Sequence, residues 1–252
     1  MAIPAQSPFF RAAQLQIGVY YRDAGLLEQA RAALSPLVAA NPGDGDAATA
    51  LASLLAREDR CAQAVEVLSH ALATTAGNRP ESDWRLLYQR GACLDQLGRF
   101  DEAEPDLREA LALSPDQPAV LNQLGYTLVD RDIDPEEGLD LIQRAVTLNP
   151  NSGAIIDSLG WAYFKLGRYD EAVTELELAV ALMPANPTIN DHLGDAYWMT
   201  GRRLEARFQW AHARDLDPTP AELAAILAKL ASGLPEAAST AEASVAAAQG
   251  TI

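Results

Sequence analysis

Three histidines, His70, His192 and His212, and two cysteines, Cys61 and Cys93, are the residues of this chain best suited by type to metal or nucleophilic chemistry. Their spacing supports neither. The cysteines lie 32 positions apart with no CxxC and no histidine at ligand spacing, so they read as small packing residues rather than a disulfide or a metal pair. Asp191-His192 with Asp195 looks like the start of a metal site. Adjacent helical residues point in different directions, however, and no second histidine or cysteine converges on them. His70 and His212 fall at equivalent helical positions on a face expected to meet solvent. No GxSxG, P-loop or GxGxxG is present. The chemistry left is recognition, which needs no cofactor: acids and aromatics that could hold another molecule.

The elements that would position those residues follow from a period. Starts at Arg11, Gly45, Trp84, Pro118, Gly153 and Pro187 are 34, 39, 34, 35 and 34 residues apart. A fixed period of this length predicts a stacked solenoid rather than a globule with one central core. In the clearest unit, Ile156, Leu159, Gly160 and Tyr163 form one helical stripe. Gly167 stops that helix, and Asp170-Glu171 opens a second, where carboxylates favour the helix dipole. Such a short connection permits only an antiparallel pair.

Small residues recur in columns. One reads Gly18, Ala52, Gly91, Gly125, Gly160, Gly194, and another Ala30, Ala64, Ala103, Gly138, Ala172, Ala206. Glycine inside a helix costs about 1 kcal/mol relative to alanine, so five glycines in a six-member column point to close helix packing. A third column, Pro42, Ala76, Pro115, Pro150, Pro184, Pro218, ends the units. With Tyr163 and Leu159-Gly160, these columns resemble the tetratricopeptide repeat (TPR) family over residues 11–220. The resemblance implies an all-α fold: a right-handed superhelical solenoid of six helix-turn-helix repeats at 11–44, 45–78, 84–117, 118–152, 153–186 and 187–220. Thr219-Pro220-Ala221-Glu222 is a capping-box start, and Leu223, Ile226, Leu227 and Leu230 fall on one side of a capping helix over 221–232. Residues 1–10 form a lead-in in which Phe9 and Phe10 are expected to pack on the first helix. Residues 233–252, mostly Ala, Ser, Thr and Glu, are expected to be disordered. Residues 79–83 read as a polar loop between repeats. Arg90 stands where leucine is usual, with its stem packed and its head in water.

The resemblance also implies that the first helix of each repeat lines a groove, through the second, fifth, ninth, twelfth and thirteenth positions. In the first three repeats these positions are mixed: Leu15, Val19, Arg22; Asp46, Thr49, Ser53; Arg85, Tyr88, Asp95. In the last three they cluster aromatics with acids: Asn122, Tyr126, Val129; Asp157, Trp161, Phe164; Asp191, Asp195, Trp198. The candidate partner-binding residues are therefore Asn122, Tyr126, Asp157, Trp161, Phe164, Asp191, Asp195 and Trp198, suited to a protein segment with apolar or basic side chains. The same aromatics could equally pack against a neighbouring repeat. A clamp for a C-terminal carboxylate would need lysines and arginines where the three aspartates stand.

A formal charge of −16 argues against nucleic acid as a partner. No stretch approaches 18 apolar residues, so direct membrane insertion is not expected. Residues 83–220 further resemble a bacterial group of TPR proteins. Many of these are exported lipoproteins tethered at the outer membrane, and some are adaptors for processing proteases. That implies a non-enzymatic scaffold in envelope assembly or proteolysis; the alternative is a self-associating arm of a larger complex. The first ten residues lack a signal-peptide pattern. As written, the chain reads as cytoplasmic; if a longer N-terminal extension exists, which the uncapped first repeat suggests, it reads as periplasmic.

Overall fold

The computed structural model describes residues 7–235. Met1 to Gln6 and the expected disordered tail beyond 235 lie outside the described residues. Among the described residues the chain is all-helical: α1 (Phe10–Asp23), α2 (Leu27–Ala40), α3 (Gly45–Arg57), α4 (Cys61–Ala73), α5 (Trp84–Gln96), α6 (Phe100–Leu113), α7 (Pro118–Asp130), α8 (Pro135–Leu148), α9 (Gly153–Lys165), α10 (Tyr169–Leu182), α11 (Pro187–Met199), α12 (Arg203–Asp215) and α13 (Pro220–Ser232). The backbone divides into two compact units, one ending at Thr127 and one beginning at Leu128.

In the first unit α1 packs on α2, α3 on α4 and α5 on α6; in the second α9 packs on α10 and α11 on α12, with α13 against α12. The pairs close tightly because the glycine column removes a side chain at the crossing. A Cβ on Gly18 would lie 2.5 Å from Leu34, and one on Gly160 2.5 Å from Leu176. The facing residue in each case comes 16 positions later, and at Gly194 that residue is Trp210. The second-helix column Ala30, Ala64, Ala103, Ala172 and Ala206 is fully buried.

Helix ends are set by local chemistry. Asp44, Asp134 and Asn186 accept the backbone N–H groups of Ala47, Glu137 and Ile189 at the starts of α3, α8 and α11. Thr219 and Glu222 form a full capping box on α13. Within a pair the turn needs one left-handed residue. Gly167 supplies it after α9 (φ 75°), and after α3 Asp59 takes the same conformation (φ 58°).

Three local expectations change. Arg90 does not send its head to solvent: its guanidinium makes two bonds to the buried Asp106 carboxylate (2.6 and 2.7 Å) and one to Ser69 (3.2 Å). A charged head can stay half-buried when a bidentate partner meets it. The insertion before α5 is not a plain loop, because residues 81–83 form a 3₁₀ turn. Asp83 there accepts from Thr75 (2.5 Å) and faces Arg79 at 3.6 Å. Phe9 is 71 % exposed rather than packed, and on α13 Ile226 is fully buried while Leu227 stays 48 % exposed.

Candidate functional site

The eight sequence-predicted contact residues all lie on first helices: Asn122 and Tyr126 on α7, Asp157, Trp161 and Phe164 on α9, and Asp191, Asp195 and Trp198 on α11. In the second unit most of their polar atoms are already engaged. His192 Nδ1 lies 2.9 Å from Asp157 Oδ1, and the imidazole stacks on Trp161 (centroids 4.2 Å apart), which stacks in turn on Phe164 (4.9 Å). Trp161 Nε1 donates to Asp130 Oδ1 (3.0 Å), and Lys165 Nζ donates to the Asp130 carbonyl (2.8 Å).

The α11 acids are held from α13. Lys229 Nζ donates to Asp191 Oδ2 and Asp195 Oδ2, each at 2.7 Å, and Trp210 Nε1 donates to Asp195 Oδ1 at 2.8 Å. Trp198 Nε1 donates to the Leu234 carbonyl (3.0 Å), Gly233 abuts its ring, and the Arg203 guanidinium stands 3.9 Å over it. Burial disfavours charge on His192, but Asp157, Asp195 and Asp191 outweigh it and hold its pKa above the ordinary histidine value. Burial also raises the Asp195 pKa, with Lys229 opposing and Asp191 reinforcing. Three carboxylates thus share a lysine and an imidazole, which offset part of the negative charge of this face, and the buried Asp191 Oδ1 has no hydrogen-bond partner.

These ties all span close to one repeat. Trp161–Asp130, His192–Asp157 and Lys229–Asp195 span 31, 35 and 34 residues, one period each. They link each first helix to the next. Treating each helix alone, sequence reasoning gave Asp130, His192 and Lys229 no partner; stepping one period forward from each acid, or back from Trp161, is the signal that finds them. The first unit has the same kind of tie. Arg11 makes two 2.5 Å bonds to Asp44, and Gln123 and Thr127 donate to Asp95 Oδ2 at 3.0 and 2.9 Å.

The first unit also carries open space. Leu15, Val19 and Arg22 of α1, Asp46, Thr49 and Ala50 of α3, and Arg85 of α5 line a cavity of about 260 Å³. A larger one, about 400 Å³, lies between α3 and α5. Ala52, Ala56 and Ala92 make its floor, with Ser53, Arg57, Tyr88, Gln89, Cys93 and Gln96 around it. The buried Gln89 Oε1 has no hydrogen-bond partner, and neither has Asn122 Oδ1 on α7. Tyr126 is half-buried. Alanines and an uncharged glutamine drew no attention in the sequence beside tryptophans and aspartates. Among the described residues no cluster of His, Cys, Asp or Glu could hold a metal ion.

Three family models, all describing tetratricopeptide repeats, match residues 15–80, 84–117 and 160–201, together more than half of the chain. The chain is a tetratricopeptide-repeat protein. It is 40% identical over 90 residues to the TPR repeat-containing protein PA4667 of Pseudomonas aeruginosa, a match covering 36% of this chain and 15% of that protein. It is 27% identical over 161 residues to the type IV pilus assembly protein PilF of the same organism, covering 63% of this chain and 62% of PilF. The chain therefore spans less than two thirds of either relative. Among solved structures, a chain of the APC/C hetero-tetramer Cut9–Hcn1 superposes with a TM-score of 0.76 at 22% identity, over 89% of this chain and 43% of that one. The TPR protein described here accordingly has a fold used as a protein-interaction scaffold, and it resembles bacterial TPR proteins. No helix among the described residues is long and apolar enough to cross a membrane.

Proposed function

We propose that this TPR protein holds a segment of a partner protein against its first helices, with the α3–α5 cavity as the anchor. The observation that carries the reading is the cavity itself. Ala52, Ala56 and Ala92 beside Tyr88 suit an apolar side chain of that segment. On α7, Asn122 and the half-buried Tyr126 are proposed as flanking contacts. In the second unit, taken by itself, Trp161 and Phe164 form a half-buried aromatic shelf suited to apolar side chains, while Asp157, Asp191, Asp195 and Trp198 hold that shelf and α13 in place. Because His192 and Lys229 answer those acids, the favoured segment is apolar first and basic second.

Envelope assembly is the proposed setting, supported by the likeness to PilF. The test selects binding peptides on the native chain from a displayed library and titrates them against Ala92→Leu, which fills the cavity. Affinity should fall at least about tenfold, the scale expected when an anchor pocket is blocked. Unchanged affinity with an intact helical spectrum would sink the proposal. Self-association is a second reading, favoured by Leu204 and Phe208 of α12, which are 83 % and 69 % exposed. A dimer by light scattering that Phe208→Glu dissolves would support it.

A further inference from the structure

We propose that Cys61 and Cys93 form a reversible dithiol–disulfide site that ties α4 to α5. Cys61 opens α4, Cys93 lies on α5, the two helices pack together, and the Sγ atoms face each other at 2.8 Å. A disulfide bond is about 2.05 Å long, so closure asks for an approach of under about 1 Å. The pair is reduced, and both residues are buried. Cys61 Sγ donates to Cys93 Sγ and also lies 3.1 Å from Gln96 Oε1. Residues serving merely as small apolar filling would need no such polar partners.

Access comes from one side. Cys93 and Gln96 border the α3–α5 cavity, so a small disulfide such as oxidised glutathione can reach Cys93 while Cys61 stays behind it. The Cys93 thiolate attacks one sulfur of the small disulfide, forming a mixed disulfide and releasing the first thiol. Cys61, as thiolate, then attacks Cys93 Sγ, forming the protein disulfide and releasing the second thiol. Two protein thiols lose two electrons and two protons, and one small disulfide becomes two thiols. Burial and the neighbouring Cys61 push the Cys93 thiol up to about 12, so the first attack is slow at neutral pH and accelerates about tenfold per pH unit. This inference stands on the sulfur pair and does not depend on a peptide in the cavity.

The chain contains two cysteines, which makes thiol counting direct. The full-length protein is incubated with oxidised glutathione at about pH 8.5, near the ordinary thiol range, then denatured and alkylated with N-ethylmaleimide. The expected product is a monomer two hydrogen masses lighter, with no maleimide and no glutathione, restored by dithiothreitol. Its thermal midpoint should rise by on the order of 5 °C. Cys61→Ser should trap a stable glutathione adduct on Cys93, and Cys93→Ser should leave Cys61 unmodified. Two maleimides on the wild type, an intermolecular dimer, or an adduct that never resolves would overturn the site. Faster modification of Cys61 in Cys93→Ser than of Cys93 in Cys61→Ser would overturn the entry route.

Discussion

The two units treat the same positions of the repeat in opposite ways. In the first unit the residues between first helices are small or neutral (Ala52, Ala56, Ala92, Gln89), and they leave a cavity and an unpaired acceptor. In the second unit the positions of Ala56 and Ala92 carry Phe164 and Trp161 on α9 and Trp198 and Asp195 on α11, and neighbouring helices absorb the polar atoms there through His192, Lys229 and Trp210. Large, charged side chains attract attention as ligand contacts, yet in a stacked array they also have most to gain from the next repeat. Small residues are what leave room.

The strongest way to break the contrast is to empty the second unit. Trp210, fully buried and bonded to Asp195, should cost about 3–5 kcal/mol when changed to alanine. Hydrogen exchange should show the loss in α11–α13, with α1–α4 unchanged. Next comes the buried pair of the first unit. Asp106→Ala strands the Arg90 guanidinium and should cost about 3 kcal/mol in denaturant unfolding, whereas Arg90→Leu with Asp106→Leu should come within about 1 kcal/mol of wild type. If the double change is as harmful as the single one, packing rather than stranded charge controls the site.

Lys229→Ala should cost about 2 kcal/mol by removing the ammonium that both Asp191 and Asp195 accept from, and it should loosen α13 selectively in limited proteolysis. The His192 effect is smaller and depends on pH. Its folded pKa is raised, so its contribution is complete below the unfolded value of about 6.5 and disappears as pH climbs through the folded value. The denaturant midpoint should therefore fall as pH rises above about 6.5, and His192→Gln should flatten the decline. Smallest of all, Leu204→Ser on the exposed face of α12 should shift monomer stability by less than about 0.5 kcal/mol.

The helix pairs were legible because their cause is local. The Gly160 and Gly194 crossings, the Gly167 turn and the Thr219–Glu222 box each announce themselves within a few residues of sequence. The Arg90–Asp106 pair was not: an arginine in a leucine position gives no sign of the carboxylate 16 residues later. The binding face was half legible. Its side chains could be named from the repeat, but whether Trp198 is open or covered depends on Gly233 and Leu234, which lie past α13 in a segment with no distinctive pattern. Nor does a separation of 32 residues show that Cys61, at the start of α4, and Cys93, late in α5, meet where those two helices pack.

The one-period ties have a consequence for how the chain is made. Every bond of the His192–Asp157 kind closes over about 35 residues and none needs a distant part of the sequence. On a ribosome supplying about 5–20 residues per second, each newly emerged helix pair finds its docking surface already built a few seconds earlier. Synthesis can therefore lay down this protein as a mason lays courses, each row setting on the one before.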